Sequence, residues 1–239
     1  SIGIARSDRD AATIDALLRS GDIAMYAAKN AGRNRHAWFD VSMERELQSR
    51  NELESSLRVA IPRGEIVPYF EQQIDLVTGR LTGFEVLARW EHPQRGVMIP
   101  DQFIPIAEET GMIADLSISL MRQAFLSARD WHPQLQLSVN ISPWQLKDPW
   151  LAVRLLGILA DTGFAPGRLV VEVTENAVIE DIMNARAIFS SLQSAGVRIA
   201  LDDFGTGRSS LQHLVDLPLT SIKLDGSLVA RLDDRRVET

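Results

Sequence analysis

Val197-Arg198-Ile199-Ala200-Leu201-Asp202-Asp203-Phe204-Gly205 is an apolar run that breaks on two adjacent carboxylates and a glycine turn. It predicts a strand over residues 197–201 with acid at its C-terminal end. The design repeats to either side, with apolar strands predicted at 135–141, 169–174 and 221–224 and helical segments between them at 150–162, 179–194 and 209–214. Such alternation indicates a parallel sheet covered by helices. Upstream, extended runs at 66–70 and 81–88 flank the turn Thr78-Gly79-Arg80 and predict a hairpin, followed by helices over 101–110 and 113–131.

By periodicity alone, an open doubly wound sheet and a closed β/α barrel fit this rhythm equally well. The polar residues favour the barrel. Glu85, Asn140, Glu172, Asp202, Asp203, Lys223 and Asp225 lie near the C-terminal ends of five successive strands, and in a β/α barrel those ends converge on one face.

Carboxylates and an amide are hard oxygen donors, which favour Mg²⁺ or Mn²⁺ over zinc. Asp202 and Asp203 can bridge two cations roughly 3.5–4 Å apart, an arrangement suited to phosphodiester hydrolysis. Successive strand side chains point to opposite faces, so both acids reach such cations only if the strand ends or bulges there. Glu172 and Glu175 are three apart, which assigns Glu172 to the site and Glu175 to support of the following loop. Lys223 and Asp225, two apart, are expected to share a strand face. Gly205 and Gly207 allow tight turning after the acidic pair.

Composition narrows the alternatives. A net charge of −7, with 45% hydrophobic and 24% charged residues, describes an ordinary globular chain and argues against wrapping long nucleic acid. Residues 1–40 hold six Lys/Arg and five Asp/Glu (+1), so the remainder carries −8. There is no cysteine and no paired histidine spacing among His36, His92, His132 and His213, which removes disulfides and zinc thiolate sites. No Walker loop or Gly-x-Ser-x-Gly elbow occurs, and Asp203-Phe204-Gly205 stands without the other kinase motifs. No apolar run approaches about 18 residues and no leader is recognisable, so the expected compartment is the cytoplasm, without membrane contact in this span.

Phe84-Glu85-Val86-Leu87-Ala88-Arg89-Trp90 resembles the signature of EAL domains, with Val at the central position. Phe103 through Gly111, Ser138-Val139-Asn140-Ile141-Ser142, Glu172-Val173-Thr174-Glu175, Asp202 through Gly207 and Lys223-Leu224-Asp225 follow in that family's order, so the resemblance covers the chain from Glu65 onward. It implies a modified TIM-type (β/α)8 barrel that hydrolyses cyclic di-GMP to linear pGpG with two Mg²⁺ or Mn²⁺ ions. The family's metal ligands fall on Glu85, Asn140, Glu172, Asp202 and Asp203. Its lysine near the attacking water falls on Lys223, which with Glu85 is the expected catalytic pair, and Leu87, Arg89, Glu71 and Asp225 are expected to meet substrate. A homodimer through the EAL domain is also implied. The alternative is a receptor that binds cyclic di-GMP without cleaving it.

Residues 1–40, with strands at 1–5 and 36–39 around a helix at 14–31, look like the end of a GGDEF domain, and Lys29 and Arg33 match residues that contact nucleotide phosphates there. A helical linker is expected over 41–63, stopped by Ile61-Pro62-Arg63-Gly64, and an EAL domain over 64–239. Glu71-Gln72 stands where the family commonly has Gln-Pro, and Arg208 where it commonly has Tyr. About 175 residues run from Glu65 to the last residue, against roughly 250 for a typical barrel, so the EAL domain is expected to be C-terminally incomplete, with a bare sheet edge.

Overall fold

The computed structural model describes residues 1–8, 13–205 and 217–233. The chain divides into two compact units, Ser1–Val59 and Ala60–Thr239.

In the first unit, β1 (Ile2–Ile4) and β2 (His36–Trp38) pair in parallel around the crossover helix α1 (Ile14–Asn30). Thr13 starts that helix, its hydroxyl accepting the Ala16 N–H at 3.2 Å. Helix α2 (Val41–Arg63) follows. Its proline lies inside the last turn, and the chain leaves the helix at Gly64 through bonds from the Gly64 and Glu65 N–H groups to the Ile61 and Ala60 carbonyls.

The second unit contains β3 (Ile66–Ile74), β4 (Leu81–His92), β5 (Gly96–Met98), α3 (Ile104–Glu109), α4 (Ile113–Ala128), β6 (Gln136–Asn140) and α5 (Pro143–Leu146). It continues with α6 (Leu151–Thr162), β7 (Leu169–Thr174), α7 (Glu175–Glu180), α8 (Ile182–Ser194), β8 (Arg198–Phe204), β9 (Ser221–Leu224) and α9 (Gly226–Asp233). The main sheet runs β3-β4-β6-β7-β8-β9, with β5 on β4. Strands β3 and β4 are antiparallel, and every later pair along that path is parallel.

This order decides between the two architectures. A doubly wound sheet reverses direction at a switch point. Here each new strand along that path adds on the same side as the last, so the described strands follow a β/α barrel of the modified TIM type rather than a doubly wound sheet. Ile222 and Leu224 on β9 remain 49% and 52% exposed, as expected of a sheet edge.

Alternation explains the core. Leu137 and Val139, Leu169, Val171 and Val173, and Ile199 and Leu201 share one face of the sheet. They pack with Phe125 of α4, Leu155 and Leu159 of α6, and Ile188 and Phe189 of α8. Burying each such side chain contributes about 1.5–3 kcal/mol. The opposite faces of these strands are left for the polar residues.

Three local features differ from the expectation. The helix predicted over 179–194 is two helices parted at Asp181, whose carboxylate caps α8 by accepting the Asn184 N–H at 3.2 Å. The segment predicted at 101–110 starts as the 3-10 turn Pro100–Gln102 before α3. The short β5 and α5 have no counterpart in the sequence pattern; α5 is held by a reciprocal Ser142–Gln145 capping box. The helix predicted at 209–214, together with Gly207 and Arg208, lies outside the described residues.

Candidate active site

Alternation also places the polar residues. On β6, Ser138 and Asn140 take the face opposite Leu137 and Val139, and on β7 Glu172 takes the face opposite Val171 and Val173. Glu85 is in register with Ser138, and Asn140 with Glu172.

Lys223 of β9 closes the group. Its Nζ lies 2.9 Å from Glu85 Oε2, 2.6 Å from Glu172 Oε2 and 3.4 Å from Asp202 Oδ2. Asn140 Nδ2 donates to Glu85 Oε1 at 2.8 Å. Five side chains from five strands thus form one connected polar cluster, with Glu172 only 1% exposed and Lys223 31% exposed.

Burial opposes the Lys223 ammonium, but its bonds and charge contacts with Glu172 and Glu85 outweigh that and hold its pKa well above the usual lysine value. Burial pushes the Glu172 carboxyl up; the Lys223 hydrogen bond pulls it down only partly, and the Glu85 charge adds to the rise. The two directions agree physically, because one ammonium serves three carboxylates.

Asp202 and Asp203 satisfy the requirement for an interrupted strand. Between Leu201↔Ile222 and Phe204↔Leu224 the register of β8 against β9 slips, and Asp203 adopts φ +54°. The Asp203 N–H turns back onto Asp202 Oδ1 at 2.9 Å. Burial, then the charges of Asp202 and Asp225, raise the Asp203 pKa. Gly205 follows at φ +99°, a conformation that favours glycine, and a Cβ there would stand 2.1 Å from Leu228 Cδ1 of α9.

The other expected residues surround the cluster. Glu71 is directly opposite Glu85 across the β3–β4 pair, which puts the two on the same face. Leu87 and Arg89 continue that face; the Arg89 guanidinium lies 5.7 Å from the centre of the Tyr69 ring and donates to the Ala88 carbonyl. Glu175 is buried as the first residue of α7. Asp225 lies past the end of β9 rather than on it, and accepts the Ser227 N–H at 2.9 Å at the start of α9. A cavity of about 350 Å³ opens beside Leu87, Asn140 and Ser142 and is walled by Pro100, Ile104 and Glu108.

Glu108 is half-buried in that wall, and burial raises its pKa despite a hydrogen bond with Ser142. A raised carboxyl pKa means that the folded state favours the proton, so stability falls as pH rises through that value. Glu108→Gln is therefore expected to raise the melting midpoint at pH 7.5 and to leave it nearly unchanged at acidic pH, a contrast that thermal denaturation at the two pH values measures.

Among the described residues, no group of three His, Cys, Asp or Glu side chains is gathered closely enough to hold a metal ion as it stands. The donor chemistry nevertheless fits a hard divalent cation. Three carboxylates against one ammonium leave two formal negative charges beside the Asn140 amide.

A match to the EAL domain family covers residues 54–238. This chain belongs to the EAL domain family. Over 232 residues it is 38% identical to a protein of Caulobacter vibrioides described as an uncharacterized signaling protein, covering 97% of this chain and 29% of that one. Over 236 residues it is 36% identical to the bifunctional diguanylate cyclase/cyclic di-GMP phosphodiesterase MucR of Pseudomonas aeruginosa, covering 97% of this chain and 34% of MucR. The chain thus spans about a third of these relatives' length. A solved structure described as the PaMucR phosphodiesterase in complex with c-di-GMP superposes with a TM-score of 0.72 at 34% identity, covering 76% of this chain and 75% of that one. No helix among the described residues is long and apolar enough to cross a membrane.

Sequence reasoning gives no role to Ser138 or Gln73, whose side chains meet at 3.4 Å on the face of the sheet that carries Glu85 and Asn140. Ser138 is visible as the same-face neighbour of Asn140, two positions earlier; nothing local points to Gln73.

Proposed function

We propose that this EAL domain hydrolyses cyclic di-GMP to linear pGpG with two divalent ions, Mg²⁺ or Mn²⁺, held by Glu85, Asn140, Glu172, Asp202 and Asp203. The observation that carries this reading is the convergence of Glu85, Glu172 and Asp202, from three strands, on the single ammonium of Lys223. Bound divalent ions supply positive charge at a phosphate and acidify a coordinated water.

The chain's own groups divide the remaining work. Asn140 gives its N–H to Glu85, which leaves its carbonyl oxygen as a ligand. Lys223, with its pKa raised, stays an ammonium at neutral pH; it orients water by donation and offsets phosphate charge rather than acting as a general base. Arg89 is the fork for a phosphate, and Leu87, Glu71 and Asp225 border the dinucleotide. The cavity beside Leu87 and Pro100 is of a size and apolar character that suits a base.

Residues 1–40 are, in the same reading, the closing strand-helix-strand of a GGDEF domain, with 41–63 as a helical linker and 64–239 as the EAL domain. The parallel β1–β2 pair around α1 supports this.

The test is turnover of cyclic di-GMP with Mn²⁺ or Mg²⁺ by the natural protein and by Glu85→Ala. Formation of pGpG that falls at least about 100-fold in the variant is expected. Tight binding of cyclic di-GMP by a folded protein that never yields pGpG would overturn hydrolysis and favour the receptor, a reading to which the carboxylate of Glu71 opposite Glu85 lends weight.

A further inference from the structure

We propose that Glu108 is the residue that selects guanine, its carboxylate accepting both N–H donors on the Watson–Crick edge of a base seated in the cavity beside Leu87 and Asn140. This role rests on the reading that a cyclic dinucleotide occupies the site and goes beyond it by naming what chooses the base.

The cavity measures about 350 Å³, and Val86, Leu87, Pro100, Ile104, Leu120 and Met121 give it largely apolar walls. Such walls accept a purine by shape but do not tell guanine from adenine, which differ in which edge atoms donate and which accept. Selection therefore falls to the polar groups of the wall. Gln145 has its carbonyl oxygen occupied by the Ser117 hydroxyl at 3.2 Å and by the Ser142 N–H at 3.1 Å. The Asn140 N–H is given to Glu85 at 2.8 Å. Among the described residues that line the cavity, Glu108 is the one ionisable side chain.

Helix α3 places it there. Ile104 and Glu108 are one turn apart and share a helix face, and both line the cavity, whereas Ile106 and Ala107 are buried. The neighbouring charge that acts on Glu108 is that of Glu109, which has the same sign. A half-buried carboxylate in this setting gains from a ligand that brings donors. Its two oxygens carry about four lone-pair sites, so its bond with Ser142 leaves room for two more.

Guanine presents N1–H and the N2 amino group as adjacent donors, which two carboxylate oxygens match. Adenine presents the N6 amino group beside the N1 lone pair, so one carboxylate oxygen would face another acceptor. Glu108→Gln changes the match: an amide has one acceptor and one donor side, the complement of the adenine edge.

The readout is equilibrium binding of cyclic di-GMP, cyclic di-AMP and cyclic di-IMP, which lacks the N2 amino group. Isothermal titration in a chelator keeps hydrolysis from intervening. The natural protein is expected to bind cyclic di-GMP about 10- to 100-fold more tightly than cyclic di-AMP, with cyclic di-IMP between them. Glu108→Gln is isosteric and is expected to raise the melting midpoint at pH 7.5, so its binding is read on folded protein. It is expected to bind cyclic di-GMP and cyclic di-IMP alike and to bring cyclic di-AMP within about threefold of them or ahead. A packing role alone would weaken all three by one factor and leave their ratios unchanged. If the natural protein binds cyclic di-IMP as tightly as cyclic di-GMP, or if Glu108→Gln keeps the full preference for guanine, the selecting role is overturned and the dinucleotide site stands. If the natural protein binds none of the three, the reading of the site fails and the proposal falls with it.

Discussion

Replacing Lys223 with Met is expected to destabilise the domain by about 3 kcal/mol at neutral pH and to lower turnover at least about 100-fold. The cause is the charge left behind. Glu172 is 1% exposed, and its carboxylate loses the ammonium 2.6 Å away that makes its ionised form tolerable. Breaking a buried pair costs more than the pair contributes, because one partner stays buried and charged.

The pH dependence follows from the directions of the shifts. Lys223 has a raised pKa, so its stabilising contribution is fully present below the ordinary lysine value of 10.5 and is lost only as pH rises through the higher folded value. Glu172 is also raised, so the folded variant takes up a proton there more readily than the unfolded chain does. The deficit of Lys223→Met therefore shrinks on going from pH 7.5 toward pH 5. Urea denaturation at the two pH values measures it, and an equal deficit at both would sink the buried-carboxylate explanation. Added Mn²⁺ is expected to return stability to the variant at pH 7.5, because a divalent cation offsets the same charge.

Arg168→Ala is expected to cost about 3 kcal/mol and, in a domain of this size, to lower the melting midpoint by roughly 6–12 °C. Arg168 is 8% exposed, and no carboxylate pairs with it among the described residues. Its guanidinium instead donates to three carbonyls: Ala128 at 3.0 Å, Arg129 at 3.1 Å and Leu135 at 2.8 Å. The first two end α4, where a cation also meets the negative end of the helix dipole, and the third precedes β6. The group lies 4.6 Å over the Phe164 ring, which stacks on Phe125 of α4.

Without Arg168 these carbonyls lose their donors together, which is why the expected cost exceeds that of one ordinary hydrogen bond. Lysine cannot span three acceptors as a planar fork does, so Arg168→Lys should recover less than half of the loss. Because Arg168 touches none of the cluster residues, turnover per folded molecule should stay near the natural value. A fall in turnover at a temperature where the variant is fully folded would show that the clamp also tunes β6 and its Asn140.

Particular residues show how much is legible beforehand. Glu85, Asn140, Glu172, Asp202 and Lys223 stand out because each interrupts or ends an apolar run, and a two-residue period fixes which face of its strand each occupies. The need for a break at Asp202-Asp203 follows from the same period, and the register slip at that point supplies it. Asp225 shows the limit: the period places it on the face of Lys223, but the strand ends one residue earlier and Asp225 turns into the start of α9.

The sequence by itself determined the main strands, most of the helices between them and the placing of Glu85, Asn140, Glu172, Asp202 and Lys223 on those strands, because hydrophobic period and local capping are short-range properties of the chain. Only the tertiary structure decided that the strands add in one direction rather than reversing, that one ammonium gathers three carboxylates, and that Gln73 reaches Ser138. Those facts depend on cross-strand register and on how closely Gly83 lets β4 approach β6, and both are set by the packing of distant segments rather than by any local pattern.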